Sequence, residues 1–412
     1  MHAHAQPGAP RFDIAHIFRA HGDAFRRTNT LSDEQHRAMW SIEHCRTQTL
    51  GGHLYQCQTC ASNVPLYNSC LSRFCPTCQG PAQYQWMAQR QQRLLPTHYF
   101  HPVFTLPAAL RPLAWRYKAV VFDLLFAAAA HTLIDLCRDP THLGAEIGLS
   151  LVLHTWTREL TFHPHVHGIL PGGGLARATD PHQDRWVACD KKFLIHVDVL
   201  SAVFRGKFLD GLKQAYAHGA FSAHTTLNHT RFQTLLDRLY QMHWNVYVKP
   251  PFAGPPAIVK YLGRYTHRTG IANSRLVSVT HDAVTFRTKN GNTCTLPPHE
   301  FIRRFLLHVL PDRYTKIRHY GLLAASNVNT KLVRARELIE QNQPPSPPSA
   351  PPSLPPQSDT AATATTEPHS DGTANDPAKP KLRCPNCQGT TFSRIATLPR
   401  ERRRRTQPPP DT

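Results

Sequence analysis

The chain has 412 residues, with 47 Lys or Arg against 27 Asp or Glu, for a net charge of +20. Its 41% hydrophobic content is enough to build a core, and the length suits two or three domains of roughly 150 residues each. The charge excess points to a polyanion, most simply nucleic acid. No run reaches the roughly 18–20 uncharged apolar residues of a membrane span, and no basic segment leads into an apolar core, so neither membrane insertion nor secretion is expected.

Residues 1–30 read as a short basic arm with room for one helix. Residues 31–95 hold six of the eleven cysteines and end in a polar helical stretch over 83–95. Without a secretion signal the compartment is expected to be the reducing cytoplasm, where clustered thiols mean metal more often than disulfide. Cys57-x2-Cys60 followed by Cys75-x2-Cys78 is the strongest signal. Two such knuckles complete a tetrahedral zinc site with no position open to water, so its role is to fold a small binding module. Cys45, Cys70, His44 and His53 remain for a second zinc. Arg73 and Arg90 are the expected DNA contacts of this module.

From residue 98 the character changes. Residues 98–106 are rich in aromatic and β-branched types and predict a strand. A helix follows over 115–136, then strands over 147–156 and 166–170, the last stopped by Pro171-Gly-Gly-Gly174. Helices are predicted at 198–218 and 232–243. A strand over 244–249 is stopped by Pro250-Pro251, and a helix over 257–266 is entered after Pro255-Pro256. Residues 275–295 read as two short strands around Lys289-Asn-Gly-Asn292, a hairpin signal. Helices over 300–310, 314–323 and 329–341 complete a domain spanning 98–340. Helices and strands mix without a βαβ rhythm, so the class is α+β. Residues 343–381 carry eleven prolines and almost no large apolar residue, which predicts a disordered linker within a 341–412 tail. Beyond it lie Cys384-Pro-Asn-Cys387, a half-site two ligands short, and the basic run from Arg402 to Arg405.

Two segments carry candidate chemistry. In Phe162-His-Pro-His-Val-His-Gly168, His165 and His167 alternate onto one face of a strand. Two neutral imidazoles with open positions beside them suit a divalent ion that also holds a phosphate oxygen. In Lys260-Tyr-Leu-Gly-Arg-Tyr-Thr-His-Arg268, Tyr261 and Tyr265 share a helix face. A tyrosine hydroxyl can hold a DNA phosphate as a covalent ester. With a solution pKa of about 10 it needs nearby positive charge, which Lys260, Arg264, His267 and Arg268 supply. The ordinary alternative is two aromatics on a buried stripe.

The order of a Phe104-Thr-Leu106 strand, a His-hydrophobic-His strand and a tyrosine helix resembles the HUH endonucleases. More closely, the chain resembles the rolling-circle transposases of the insertion sequence ninety-one family. Four stretches carry the likeness: Cys45 to His53 with Tyr67-Asn-Ser-Cys70 and Arg73-Phe-Cys-Pro-Thr-Cys78; His163-Pro-His-Val-His-Gly-Ile-Leu-Pro-Gly-Gly-Gly174; Tyr261 to Arg268 with Asn273-Ser-Arg-Leu276; and Phe301 to Pro311 with Tyr320-Gly-Leu-Leu323. Phe74 stands where the family usually has a His. Trp156-Thr-Arg158 stands where it commonly has Trp-Gly-Gln.

The resemblance implies an HUH-like antiparallel sheet with packed helices, preceded by a zinc module. It further implies nicking of single-stranded transposon ends, with Mg²⁺ or Mn²⁺ on His165 and His167 and a 5′-phosphotyrosine on Tyr261 or Tyr265. His163, Glu159 and His267 are candidates for a third metal ligand. The alternatives are a non-catalytic zinc-dependent DNA-binding protein and a plasmid-type replication initiator or relaxase.

Overall fold

The computed structural model describes residues 12–79, 91–190, 195–221, 227–252, 270–342 and 382–401. The predicted helix over 257–266, the linker 343–381 and most of the helical stretch over 83–95 lie outside the described residues.

The chain opens with α1 (Ile14–Thr28), started by Asp13, whose carboxylate accepts the Ala15 N–H. Its apolar residues Ile14, Ile17, Phe18 and Phe25 are all buried, so this segment is a packed helix rather than a loose arm. A capping box of Ser32 and Gln35 starts α2 (Asp33–Glu43). A hairpin follows, β1 (Gly52–Cys57) with β2 (Asn63–Tyr67).

The large domain begins with β3 (Tyr99–Thr105). The predicted helix over 115–136 is two helices, α3 (Arg111–Arg116) and α4 (Lys118–Arg138), broken at Tyr117. Helix α4 has the length and composition of a membrane span. Here it packs into the core, with Val121, Phe122, Leu125 and Phe126 fully buried. Next come β4 (Gly148–Trp156), β5 (Phe162–Pro171) and the ribbon β6 (Gly173–Ala176) with β7 (Arg185–Ala188). Helices α5 (Val197–Ala217) and α6 (His229–Gln241) lead into β8 (Val246–Phe252). The predicted stop at Pro250-Pro251 does not end this strand. Among the described residues it pairs only with β3, at the sheet edge, where a missing proline N–H breaks no ladder.

Residues 275–295 form three strands rather than two: β9 (Leu276–Val279), β10 (Val284–Arg287) and β11 (Thr293–Leu296). The expected turn joins β10 to β11, with Asn290 and Gly291 both in the left-handed region at φ 55° and 78°. Helix α7 (Pro298–Leu307) follows. The helix expected over 314–323 is instead a strand, β12 (Ile317–Gly321), because the free edge of β4 offers it a ladder. The last elements are α8 (Lys331–Gln341) and β13 (Phe392–Leu398). The latter lies beyond the predicted linker, where no element was predicted, and pairs antiparallel with β1.

The five-stranded central sheet runs β12-β4-β5-β3-β8 and is antiparallel throughout. One core lies between this sheet and α4 and α5, anchored by Phe104 against Phe204 with ring centroids 4.9 Å apart. A second core joins α1, α2 and α7 to β9, β10 and β11, with Phe18 against Phe305 at 5.3 Å. Cys45 and Cys75 are buried in this second core. The N-terminal module is therefore packed onto the remainder of the fold.

Candidate functional site

The central strands gather a histidine cluster. β5 lies between β4 and β3, which sets His154 directly opposite His165 and Val103 opposite His167. His154, His165 and His167 each offer a ring nitrogen, and these atoms lie within 4.8 Å of one another. The Nε2 atoms of His165 and His167 are 3.1 Å apart. The other nitrogens are engaged behind them. His165 Nδ1 is 2.7 Å from the His163 carbonyl, to which it donates, so the lone pair is on its Nε2, the nitrogen that faces His167. His167 Nδ1 is 2.9 Å from His101 Nε2, with the two rings stacked at 5.1 Å. His154 is stacked on Trp156, with ring centroids 4.6 Å apart. Such outer partners fix tautomer and ring direction in metal-binding histidines. Burial pushes His165 down to about 4, so the ring is uncharged at neutral pH and able to bind a cation.

The third nitrogen thus comes from β4. His163 turns instead toward Arg111, whose Nη2 is 3.2 Å from its Nδ1. Glu159 is exposed in the β4–β5 connection, and His267 lies outside the described residues. The readable signal for His154 was a lone imidazole directly after the apolar run Leu151-Val152-Leu153, in a strand that neighbours the His pair.

Tyr261, Tyr265, Lys260, Arg264 and Arg268 lie outside the described residues. Both flanks of their segment are described. β8 is the neighbour of β3, and β3 is the neighbour of β5. On the other side, a side chain on Gly270 would meet Leu160 at 2.8 Å, and Arg275 donates to the Arg158 carbonyl at 2.5 Å. Chain re-entry is therefore against the β4–β5 connection. Beside Trp156 lies a cavity of about 380 Å³, lined by Arg73, Phe74, Thr155, His308 and Lys316 among others. Burial lowers Lys316 to about 7, and its ammonium lies 5.5 Å from the Trp156 ring centroid. Arg73, an expected DNA contact, is exposed and donates to the Tyr314 and Pro311 carbonyls at 2.5 and 2.7 Å. Arg90 lies outside the described residues.

Two thiol clusters are present, and the two N-terminal knuckles do not share one ion. Cys45, Cys70, Cys75 and Cys78 form one group, and Cys57, Cys60, Cys384 and Cys387 form the other. The reason is the β1–β2 hairpin. Cys70 follows its open end, where Gly52 pairs with Tyr67, whereas Cys57 and Cys60 sit at its turn. Five residues of strand at about 3.4 Å each hold the ends about 17 Å apart. In the first group the Cys45–Cys78 and Cys70–Cys78 sulfurs are both 3.5 Å apart. Tetrahedral zinc with bonds of about 2.3 Å places its sulfurs about 3.8 Å apart, so the group fits the ion. His44 and His53 belong to neither group. His44 Nδ1 is 2.8 Å from the Trp40 carbonyl, and His53 meets the ring of Tyr55 edge-on. Isolated Cys137 is pushed up to about 12 by burial, as expected for an inert core thiol.

Comparison with known proteins places these features. Residues 17–106 match the family described as "Transposase zinc-binding domain", and residues 148–331 match the one described as "Putative transposase". A Sinorhizobium fredii protein named "Putative transposase y4qJ" is 45% identical over 343 residues, covering 81% of this chain and 85% of its own. The "Transposase for insertion sequence element IS801" of Pseudomonas savastanoi pv. phaseolicola is 29% identical over 334 residues, 77% of each chain. No solved structure matches the chain.

Proposed function

Since the chain belongs to the insertion sequence ninety-one family of transposases, with that family's zinc-binding domain, we propose that it nicks single-stranded transposon ends by an HUH-type reaction. The observation that carries this reading is the convergence of His154, His165 and His167, with the far nitrogens of His165 and His167 already engaged. Three imidazoles fit a divalent cation and leave positions open for phosphate. Mg²⁺ or Mn²⁺ bound there would polarise the scissile phosphate.

Tyr261 or Tyr265 is the nucleophile. Its oxygen bonds to phosphorus, the P–O3′ bond breaks, and the departing 3′ oxygen takes up a proton. The product is a 5′-phosphotyrosine and a free 3′-OH. Attack by a 3′-OH on that ester reverses the step and joins strands with no external energy source, as rolling-circle transposition requires. Two tyrosines let one hold the donor end while the other acts on a second strand. Lys260, Arg264 and Arg268 lower the cost of the phenolate and hold phosphates. Support for this placement is the anchoring of both flanks of 253–269 beside the histidine strands. The reaction belongs in the cytoplasm, where the nucleoid presents its DNA.

The test uses a labelled single-stranded end oligonucleotide with Mn²⁺. Wild type should yield a covalent adduct that survives denaturant and maps to Tyr261 or Tyr265. His154→Ala, His165→Ala and His167→Ala should each abolish nicking yet retain DNA binding, because the many-phosphate footprint remains. Phe at both tyrosines keeps the rings and removes only the attacking oxygens. An adduct persisting in that double variant would refute the tyrosine assignment. Wild type forming no adduct on any strand would favour the non-catalytic binder.

A further inference from the structure

We propose that Cys57, Cys60, Cys384 and Cys387 bind a second zinc ion as a closed tetrathiolate, and that this ion clasps the C-terminal segment 382–401 onto the N-terminal module. The four sulfurs lie within 4.8 Å of one another, with Cys57–Cys387 at 3.6 Å and Cys60–Cys384 at 3.5 Å. These separations match those in the first thiol group and suit a tetrahedral ion. Neither matched family range reaches Cys384 or Cys387.

Backbone conformation is an independent sign. Seven non-glycine residues among those described have positive φ, and four directly follow a clustered cysteine: Arg46, Ala61, Leu71 and Gln388. Side chains seldom adopt this region without something to hold them there. Ala61 at 54° and Gln388 at 61° occupy equivalent places in the two facing knuckles. Each knuckle is closed by its own turn, Ala61 N–H to the Cys57 carbonyl and Gln388 N–H to the Cys384 carbonyl, both at 2.9 Å. The C-terminal Cys-x2-Cys is thus the missing half of a site whose other half lies more than three hundred residues earlier.

Apart from the thiol group, the docking is a strand ladder and polar contacts such as Asn386 Nδ2 to Ser62 Oγ. β13 runs along β1 from Cys57 opposite Phe392 to Gly52 opposite Leu398, with a bulge at Leu54/Tyr55. None of its residues is buried, and Ile395 is among the exposed large apolar side chains. A ribbon with no apolar face against a core is marginal in water. Each thiol group has two buried sulfurs, but the first group's other two, Cys70 and Cys78, are half-buried against the second core, whereas Cys60 and Cys387 are exposed. The second ion should therefore leave first under chelation and release a segment that stays tethered by residues 343–381. Zinc displaces the thiol protons on binding, so acid favours release as well.

The test reads zinc and fragment retention, with no DNA, so its outcome is separate from that of the nicking assay. Full-length protein should hold about two zinc ions per chain, and the Cys384→Ser, Cys387→Ser variant about one. Cobalt in place of zinc should give a tetrahedral thiolate spectrum that falls by about half in the variant. With a protease site inserted in 343–381, the cut C-terminal piece should co-elute with the body in zinc buffer and separate when chelator removes the first ion lost. Equal zinc in wild type and variant would overturn the proposal. So would a piece that separates in zinc buffer, or one that stays after both ions are stripped.

Discussion

His308 shows how much of this site is held by groups that do no chemistry. Its Nδ1 lies 3.1 Å from the Thr155 hydroxyl and its Nε2 3.1 Å from the Leu160 carbonyl, so a neutral ring accepts from the first and donates to the second. It thereby ties α7 to the strand that carries His154. Burial pushes it down to about 3 from the ordinary 6.5. A depressed folded value means the unfolded chain takes up the proton first. The contribution is present above pH 6.5 and is lost as pH falls from there toward 3. Between about pH 7 and pH 5 this group alone should remove about 2 kcal/mol. Denaturant titrations at both pH values should show that loss in wild type, and His308→Gln should flatten the dependence while costing stability at pH 7. An unchanged slope in the variant would refute it. Residue types marked His165 and His167 as a pair by their alternation. His154 and His101 could not be assigned to them from spacing, because strand register is a property of the folded sheet.

Among the elements, β12 is where local pattern and fold disagree. Residues 314–323 hold helix-compatible types, yet the edge of β4 offered paired backbone groups, and burial on that edge outweighs weak propensity. Its end is set by Gly321, at φ 56°, where a Cβ would collide with the Ile147 carbonyl oxygen. Gly321→Ala should therefore cost about 1–3 kcal/mol from the backbone conformation alone, before the clash is relieved. Chemical denaturation would measure it, and a cost near zero would mean that this turn does not fix the edge. β8 makes the complementary point. Pro250 and Pro251 look like strand breakers in sequence, but only a central strand needs both of its ladders, and β8 has one neighbour among the described residues. The hairpin at Asn290-Gly291 was legible because left-handed turn residues carry their conformation locally.

For the whole molecule, a charge of +20 on a transposase means that much of its DNA affinity is release of counterions. Binding to a single-stranded oligonucleotide, followed by fluorescence anisotropy, should weaken at least about tenfold between about 50 and 200 mM salt. A flat response would show that the charge serves something other than phosphate contact. Composition, the thiol count and the His-x-His and Tyr-x3-Tyr spacings are local quantities. They were enough to indicate a basic, zinc-binding, mixed α+β protein, and the likeness of four motif stretches added the family. Which cysteines meet is not local. Both N-terminal knuckles look alike in sequence, and only the length of the β1–β2 hairpin sends one to Cys45 and Cys70 and the other to the chain's far end. The third imidazole was likewise decided by which strand lies beside β5. Spacing along the chain determines what a short segment can present; long-range pairing, which no short segment encodes, determines what it is presented to.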